Sequence, residues 1–375
     1  MDVNNSVLKN EEKAVFKLRS LYGKYGYSQF KMSKFEEYDL YVRNKDFLVS
    51  DSIITFTDTN GKLLALKPDV TLSIIKNTKD EPNTVNKVYY NENVYRITKG
   101  SFSYKEIMQS GLECIGDIDN YNIYEVLMLA CESLKSISEE CVLDISNLSI
   151  LSDVINNIKI SPKNRKRVLK CASEKNVHEI SNICIEEDIP KEKCEVLKKL
   201  ISVYGNPRDT IAFLEKEISD YTDKKKIEDL KIITDTLTEN GYGDMIRIDF
   251  SVINDMNYYN GIVFKGFINS IPTGVLSGGQ YDNLMNKMGR KAGAIGFAVY
   301  LDMLERLNEC EHTYDVDTVI LYNADDDISA LNGAIKMLAD NGKSVMAQKT
   351  VPNDLKYKQL LRLKDKGVVI VETNA

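Results

Sequence analysis

A chain of 375 residues, 43% of them hydrophobic, is long enough to bury a large core and to form two or three domains. No apolar run approaches the roughly 20 residues of a membrane-spanning helix, and no secretory signal opens the chain, so we expect a cytoplasmic protein. The net charge of −7, without a long basic run, argues against strong nucleic-acid binding, because neutralising phosphates requires clustered cations.

Seven cysteines are scattered along the chain without a C-x-x-C pair, and the chain has only two histidines. An odd number of cysteines in this arrangement favours neither a disulfide framework nor a metal site, so no metal is expected. Most cysteines have apolar neighbours, as Cys114 does, which is typical of small buried side chains.

The first predicted element is an amphipathic helix over residues 10–27, in which apolar residues recur with helical spacing. Residues 53–57 and 63–66 have the composition of strands. Asn60 and Gly61 between them tolerate the positive φ of a tight turn, which predicts a β-hairpin.

Further segments are rich in β-branched and aromatic residues, namely 87–90, 93–96, 108–115, 245–252, 261–267 and 273–276. Because loops and hairpins separate them, they predict a mainly antiparallel sheet. Flanking helices are predicted at 121–137 and 296–308.

Two changes of pattern divide the rest of the chain. Between about 150 and 240, lysine- and glutamate-rich segments with helical spacing indicate a helical insertion in a core domain that spans 1–310. From 315 to 375 the pattern is that of a small α/β module of βαβαβ type. Its strands are predicted at 319–322, 344–347 and 368–372, and its helices at 328–341 and 354–366. The predicted fold class is therefore α+β.

Four segments, in chain order, resemble the core of class II aminoacyl-tRNA synthetases of the histidyl type. They are 56–58 (FTD) with 66–71 (LKPDVT), 94–96 (VYR) with 109–116 (QSGLECIG), 257–264 (NYYNGIVF), and 278–284 (GGQYDNL) with 294–298 (AIGFA). The resemblance covers roughly residues 10–308. It implies an antiparallel sheet of six or seven strands with flanking helices, usually in a dimer. The segment after 315 is similar to a shortened anticodon-binding domain.

The resemblance also implies a histidine pocket formed by Asp69, Thr71, Gln109, Glu113, Tyr259 and Tyr281. Asp69 stands where the synthetases have a glutamate, and the other five match directly. Carboxylates suit the ammonium group of an amino acid, while amide and phenol groups suit the imidazole nitrogens. The alternative is that these side chains persist because they satisfy one another inside the cleft.

The groups that would bind ATP are largely absent. Arg96 matches the synthetase arginine that grips the α-phosphate. However, Asn254 and Met303 stand where the synthetases have arginines, and Tyr300 replaces a glycine beside the nucleotide. Losing such contacts typically costs about 3 kcal/mol each in the transition state, so we expect no adenylation and hence no aminoacylation.

Three local interpretations accompany these assignments. Tyr258 is expected to pack in the core, because alternation along a strand would turn it away from Tyr259. Gly278 and Gly279 are interpreted as a tight backbone turn. His178 and His312 are far in sequence from every motif and are expected at the surface.

With these substitutions the chain resembles the regulatory subunits of ATP phosphoribosyltransferase, a family of histidyl-tRNA synthetase paralogues. That resemblance implies a non-catalytic subunit in the first step of histidine biosynthesis, without a cofactor. It would associate with a short-form catalytic subunit as a homodimer within a hetero-oligomer, and it would convey feedback by histidine. The alternatives are a divergent histidyl-tRNA synthetase and a stand-alone histidine-binding or RNA-binding module. The net charge and a balanced C-terminal module argue against tRNA as a partner.

Overall fold

The computed structural model describes residues 8–45, 48, 53–97, 103–253, 258–307, 314–364 and 367–374. The chain divides into two compact units, Met1–Leu307 and Asn308–Ala375. No helix in these described ranges combines the length and the apolarity needed to cross a lipid bilayer.

In the first unit, strands and helices alternate irregularly along the chain. Its strands are β1 (Ser28–Gln29), β2 (Phe35–Glu37), β3 (Thr55–Thr57), β4 (Leu63–Leu66), β5 (Val85–Ile97), β6 (Tyr104–Gly116), β7 (Cys141–Asn147), β8 (Tyr204–Gly205), β9 (Ile246–Asp249), β10 (Ile262–Ile268), β11 (Leu276–Gln280) and β12 (Gly293–Tyr300). Its α-helices are α1 (Asn10–Lys24), α2 (Tyr38–Val42), α3 (Thr71–Asn77), α4 (Asn120–Ile137), α5 (Leu148–Asn157), α6 (Pro162–Ser173), α7 (Val177–Glu186), α8 (Lys191–Ser202), α9 (Pro207–Phe213), α10 (Lys224–Leu237) and α11 (Asp282–Lys287). The described residues of the first unit also contain two π-helical turns, Leu214–Ile218 and Thr238–Tyr242, and a 3₁₀ helix, Leu301–Arg306.

The main sheet has the strand order β1-β5-β6-β12-β11-β10-β7-β9-β8. All neighbours are antiparallel except the pairs β1/β5 and β7/β9, which are parallel. The antiparallel sheet expected from the sequence is confirmed. It has nine strands in the described part of the chain rather than six or seven, and the two edge strands, β1 and β8, have only two residues each.

A smaller sheet has the order β2-β4-β3 and contains the predicted hairpin. Asp58 Oδ1 accepts hydrogen bonds from the backbone N–H groups of Asn60 and Lys62, at 2.9 and 2.8 Å. Gly61 has a φ of +80°, which a residue without a Cβ adopts at no steric cost. The turn residues therefore set the register of β3 and β4, as the sequence indicated.

The main sheet separates two apolar clusters, because successive side chains of a strand point to opposite faces. On β6, Leu112 and Cys114 belong to the cluster that contains Leu18 and Tyr22 of α1 and much of α4. The other face carries a second cluster with residues of α3 and α11. Gln109 and Glu113 of β6 lie on this second side.

The predicted helical insertion corresponds to α5–α10. Four of these helices begin at a residue whose side-chain oxygen accepts a backbone N–H of the first turn: Asn147 (α5), Asn176 (α7), Asn206 (α9) and Asp223 (α10). Such caps satisfy donors that have no partner within the helix. Short polar residues in the sequence thus define where the helices start.

The helix predicted at 296–308 was wrong for its first half, since Gly293–Tyr300 form strand β12. This strand lies between β6 and β11 and is covered on both faces. Its sequence is therefore a continuous apolar run, which periodicity cannot distinguish from a buried helix. Only the 3₁₀ helix after Tyr300 is helical.

The second unit contains β13 (Val316–Leu321), α12 (Ile328–Asp340), β14 (Val345–Gln348), β15 (Tyr357–Lys364) and β16 (Gly367–Thr373). Its sheet has the order β14-β13-β15-β16, with β13 parallel to β14 and β15. β16 pairs with β15 in the antiparallel sense.

The helix predicted at 354–366 was wrong, because most of this segment is β15 and the order is β-α-β-β-β. Leu360 packs with Val316 and Val319 on one face of the sheet. Its neighbour Leu361 packs with Ile320 on the other. Adjacent leucines that are buried on opposite faces give a sequence pattern close to that of a helix.

Candidate functional site

A cavity of about 320 Å³ opens on the face of the main sheet that carries the second apolar cluster. All six side chains assigned to a histidine pocket line it, and so does Arg96. The other lining residues are Val70, Tyr90, Tyr258, Ser277, Gly296, Phe297, Ala298 and Tyr300. The volume is at the lower end of the range for small-molecule sites.

Two adjacent strands form the floor of the cavity. β6 contributes Gln109 and Glu113, and β12 contributes Gly296, Ala298 and Tyr300. The spacing of two or four residues places these side chains on the same face of their strands. The floor is therefore rigid, because both strands are paired along their length.

Glu113 is the most enclosed acidic group of the site, with 3% of its surface exposed. The Thr71 hydroxyl donates to its Oε1 at 2.8 Å, and the Tyr281 hydroxyl donates to its Oε2 at 2.6 Å. These three side chains thus satisfy one another inside the cavity, as the alternative interpretation of the sequence suggested. The same contacts fix the orientation of the carboxyl group toward any ligand.

In this cavity, the protonation of the two carboxyl groups is coupled to the charge of a bound ligand. Burial raises the pKa of Glu113 to about 8, although the hydrogen bonds from Tyr281 and Thr71 oppose this shift. Burial also raises the pKa of Asp69, against the effects of the Leu72 N–H and of Arg96. Because a nearby positive charge would lower both pKa values, binding of a cationic group is coupled to ionisation of these carboxyls.

Asp69 also has a structural contact. Its Oδ1 accepts a hydrogen bond from the Leu72 N–H at 2.9 Å, at the start of α3. A carboxylate in this position satisfies a donor of the first helical turn. Part of its hydrogen-bonding capacity is therefore committed to the fold.

Three tyrosines form a wall of the cavity. The rings of Tyr258 and Tyr259 have centroids 4.6 Å apart, and those of Tyr258 and Tyr281 are 5.6 Å apart. Burial raises the pKa of all three well above the ordinary value, so their hydroxyls stay neutral. Tyr258 packs in the core as expected, within the second apolar cluster. The expectation that it turns away from Tyr259 was wrong, because residues 258–261 do not form a strand and alternation does not apply.

Arg96 is the one basic side chain among the described residues that line the cavity. Its Nε donates to the Pro68 carbonyl oxygen at 2.9 Å. Its positive charge opposes the effect of burial, which raises the pKa of the nearby Tyr300 hydroxyl. The group predicted to hold a residual phosphate is thus held by the protein itself.

The resemblance placed lost arginines at Asn254 and Met303, and the structure describes only the second of these residues. Asn254 lies outside the described residues. Met303 is in the 3₁₀ helix, packs against the first apolar cluster and has its Sδ 3.7 Å from the Thr273 hydroxyl. It does not line the cavity, so its side chain neither fills the site nor supplies a charge to it.

Gly278 and Gly279 do not form a turn, contrary to the interpretation from the sequence. Both lie within β11. A methyl group at Gly278 would overlap Gly296 O, and one at Gly279 would lie 2.8 Å from Tyr259 Cδ1. Gly279 thus allows close packing against Tyr259 of the cavity wall, and Gly278 allows it against Phe264 and Phe297 of the first apolar cluster.

Sequence reasoning did not identify Tyr90 as a lining residue. It is 2% exposed and lies six residues before Arg96 on β5, so both side chains point to the same face. Alternation from Arg96 back along the strand is the signal that could have found it.

Neither histidine contributes to the site as far as the structure describes them. His178 is exposed on α7, in agreement with the surface position expected from the sequence, and His312 lies outside the described residues. Within the described ranges, no group of three His, Cys, Asp or Glu side chains is placed to hold a metal ion. The polar groups that line the cavity therefore include carboxyl, phenol, amide and guanidinium groups.

Comparison with known proteins identifies similar chains. Residues 1–304 match the family model described as histidyl-tRNA synthetase. The ATP phosphoribosyltransferase regulatory subunit of Ruminiclostridium cellulolyticum is 26% identical over 315 residues, which are 82% of this chain and 75% of that protein.

Two solved structures share the fold. One is an ATP phosphoribosyltransferase regulatory subunit/histidyl-tRNA synthetase from Bacillus halodurans, with a TM-score of 0.73, 22% identity and coverage of 96% of each chain. The other belongs to the ATP phosphoribosyl transferase (HisG:HisZ) complex from Thermotoga maritima. Its TM-score is 0.61, with 21% identity and coverage of 80% of this chain and 98% of that one.

Proposed function

The chain belongs to the histidyl-tRNA synthetase family, and we propose that within it the protein is the regulatory subunit of an ATP phosphoribosyltransferase. In this role it acts in the first step of histidine biosynthesis and does not charge tRNA. The name of the curated relative in Ruminiclostridium cellulolyticum supports this role, at 26% identity over 82% of the chain.

The observation that carries the proposal is a cavity suited to bind an amino acid but poor in groups that activate one. Adenylation develops charge on the transferring phosphorus and on the pyrophosphate, which requires several cations. Arg96 alone among the described lining residues is basic, and its Nε–H is already bonded to the Pro68 carbonyl oxygen. The site therefore supports recognition without the chemistry of a synthetase.

Histidine is the ligand that the charges of the cavity favour. Asp69 and Glu113 supply two carboxyl groups, and Arg96 supplies one guanidinium. A histidine zwitterion offers the complement, with an ammonium group, an imidazole that carries one N–H donor and one acceptor nitrogen, and one carboxylate. Gln109 and Tyr259 add neutral hydrogen-bonding groups at the wall.

We further propose that the partner is the short-form catalytic subunit, which joins ATP to phosphoribosyl pyrophosphate, and that the chain is a homodimer within a cytoplasmic hetero-oligomer. The fold shared with a chain of the HisG:HisZ complex from Thermotoga maritima supports a partner of this kind. Histidine bound in the cavity would then inhibit through a coupling free energy between the two subunits, of about 1–3 kcal/mol in typical allosteric systems.

The test is reconstitution with the catalytic subunit from the same source. Size-exclusion chromatography should show a complex. Phosphoribosyl transfer should be faster with both subunits than with the catalytic subunit alone, and histidine should inhibit the complex. No association and no effect on the transfer rate would contradict the proposal, and histidine-dependent charging of tRNA by the isolated chain would restore the synthetase alternative.

A further inference from the structure

We propose that the ion pair between Lys105 and Asp302 closes one end of the cavity to anions, so that the site rejects ligands with a polyphosphate chain. The inference concerns the same cavity but goes beyond the proposed function, since it requires neither histidine nor a catalytic partner. To the shortage of cations along the wall it adds an exclusion of anions by two residues outside the lining.

Strand register places Lys105 at the Arg96 end of the cavity. Lys105 of β6 lies directly opposite Arg96 of β5, so both side chains are on the same face of the sheet. The Cβ atoms of directly opposite residues are about 5 Å apart. Gln109, four residues further along β6, is on this face too and lines the cavity. Lys105 therefore extends the polar face of β6 beyond the lining residues.

Asp302 is held at the same end by β12. It is the second residue of the 3₁₀ helix and follows Tyr300, which pairs with Gln109 and lines the cavity. Lys105 Nζ lies 2.8 Å from Asp302 Oδ2, and the Asp302 side chain is only 16% exposed. The ion pair therefore joins β6 to the 3₁₀ helix next to the position of Arg96.

The charges of this pair are unfavourable for an anion. The Lys105 ammonium is already bonded to the Asp302 carboxylate. The second carboxylate oxygen, Asp302 Oδ1, is buried and has no hydrogen-bond partner within the described part of the chain. An arriving phosphate would lie near this oxygen, and like charges repel strongly where water screens them poorly. A repulsive charge against the wrong ligand is one of the ways in which sites achieve specificity.

Without the Asp302 carboxylate, the same place would attract anions. Lys105 and Arg96 would then present two cations from paired positions of β5 and β6. Two neighbouring cations suit the several negative oxygens of a polyphosphate, because charge-assisted hydrogen bonds to phosphate are strong. The carboxylate of Asp302 therefore decides whether this end of the cavity binds or rejects phosphate groups.

The test is titration calorimetry of the full chain with inorganic pyrophosphate, in a buffer without phosphate or divalent cations. The first variant is Asp302→Asn, which releases Lys105. A double variant combines Asp302→Asn with Lys105→Met and thus removes the released cation. Glu37→Gln is the matched control, because it releases Lys62 from an ion pair of 2.6 Å and changes the net charge equally, away from the residues that line the cavity.

The unmodified protein should show weak pyrophosphate binding or none. Asp302→Asn should raise the affinity by about tenfold or more, since a repulsive charge is removed and a lysine is released. The double variant and Glu37→Gln should behave like the unmodified protein. Circular dichroism of each variant would show that it is folded, and Asp302→Ser replaces Asp302→Asn if the latter is not.

Equal pyrophosphate binding by Asp302→Asn and the unmodified protein would overturn the inference. A gain that persists in the double variant, or that also appears in Glu37→Gln, would do the same. Tight pyrophosphate binding by the unmodified protein, lost in a Lys105→Met variant, would show that the ion pair does not exclude anions. These outcomes leave the proposed function intact, because neither histidine nor the catalytic subunit takes part in the measurement.

Discussion

Gly296 lies directly opposite Glu113 in the register of β12 and β6, and the space that its missing side chain leaves is occupied by the Glu113 carboxylate. A methyl group at Gly296 would overlap Glu113 Oε2. The position of the buried carboxyl thus depends on a glycine in the neighbouring strand, in addition to the hydroxyls of Thr71 and Tyr281 that bind it.

Substituting Gly296→Ala should displace this carboxyl and destabilise the first unit by about 1–3 kcal/mol, as overpacking of a close-packed site does. Histidine binding should weaken in parallel. Urea unfolding and calorimetry would measure the two effects. Gly23→Ala is the control, because Gly23 lies in α1 with open space around it and alanine there should stabilise by about 0.5–1 kcal/mol. Normal binding by Gly296→Ala would show that the carboxyl position is not critical.

Substituting Glu113→Gln should weaken histidine binding, since the cavity loses a group that can become negative beside a bound cation. In the assembled enzyme, the histidine inhibition curve should shift to higher concentrations while the subunits still associate. Initial rates of phosphoribosyl transfer at increasing histidine, with size-exclusion chromatography of the variant complex, would measure this. An unmoved curve would place the effector site outside this cavity.

The stability of the fold should depend on pH through Glu113. Burial raises its pKa in the folded protein from 4.5 to about 8, so the folded state holds this proton more tightly than the unfolded chain does. Its stabilising contribution is complete below about pH 4.5 and is lost as the pH rises through 8.

The unfolding free energy of the unmodified protein, relative to that of Glu113→Gln, should therefore fall between pH 5.5 and 8. The upper limit of this fall is about 5 kcal/mol over the full window. Urea unfolding of both proteins across this range would show it. A constant difference would mean that the carboxyl ionises in the fold as it does in the unfolded chain.

The isolated chain should show no histidine-dependent exchange between ATP and pyrophosphate. The cavity has a single basic side chain among the described residues, so the polyphosphate lacks the cations that lower its barrier. A radiolabelled pyrophosphate assay would measure this, with a histidyl-tRNA synthetase as the positive control. Exchange at a rate typical of synthetases would contradict the regulatory role.

Much of the site could be predicted from sequence motifs. The residues Asp69, Gln109, Glu113 and Tyr281 were assigned to one pocket through the resemblance, and the structure brings them around one cavity, although their role with histidine remains a proposal. The ring of Tyr258 was wrongly expected to turn away from Tyr259, because the prediction assumed a strand where the backbone is irregular. Alternation is a reliable guide only where the secondary structure is known.

The sequence by itself determined the features that depend on local chemistry. Asn60 and Gly61 specified the hairpin turn, and short polar caps such as Asn147 specified where helices of the insertion begin, because these residues act on backbone groups a few positions away. Only the tertiary structure decided that β12 and β15 are strands, since β12 is covered on both faces and adjacent leucines of β15 are buried on opposite faces, so that neither shows a plain period of two. It also decided that Arg96 and Tyr300 line one cavity and that the Glu113 carboxyl lies against Gly296. These pairs are 204 and 183 residues apart in the sequence, and strand register, which local sequence does not encode, brings them together.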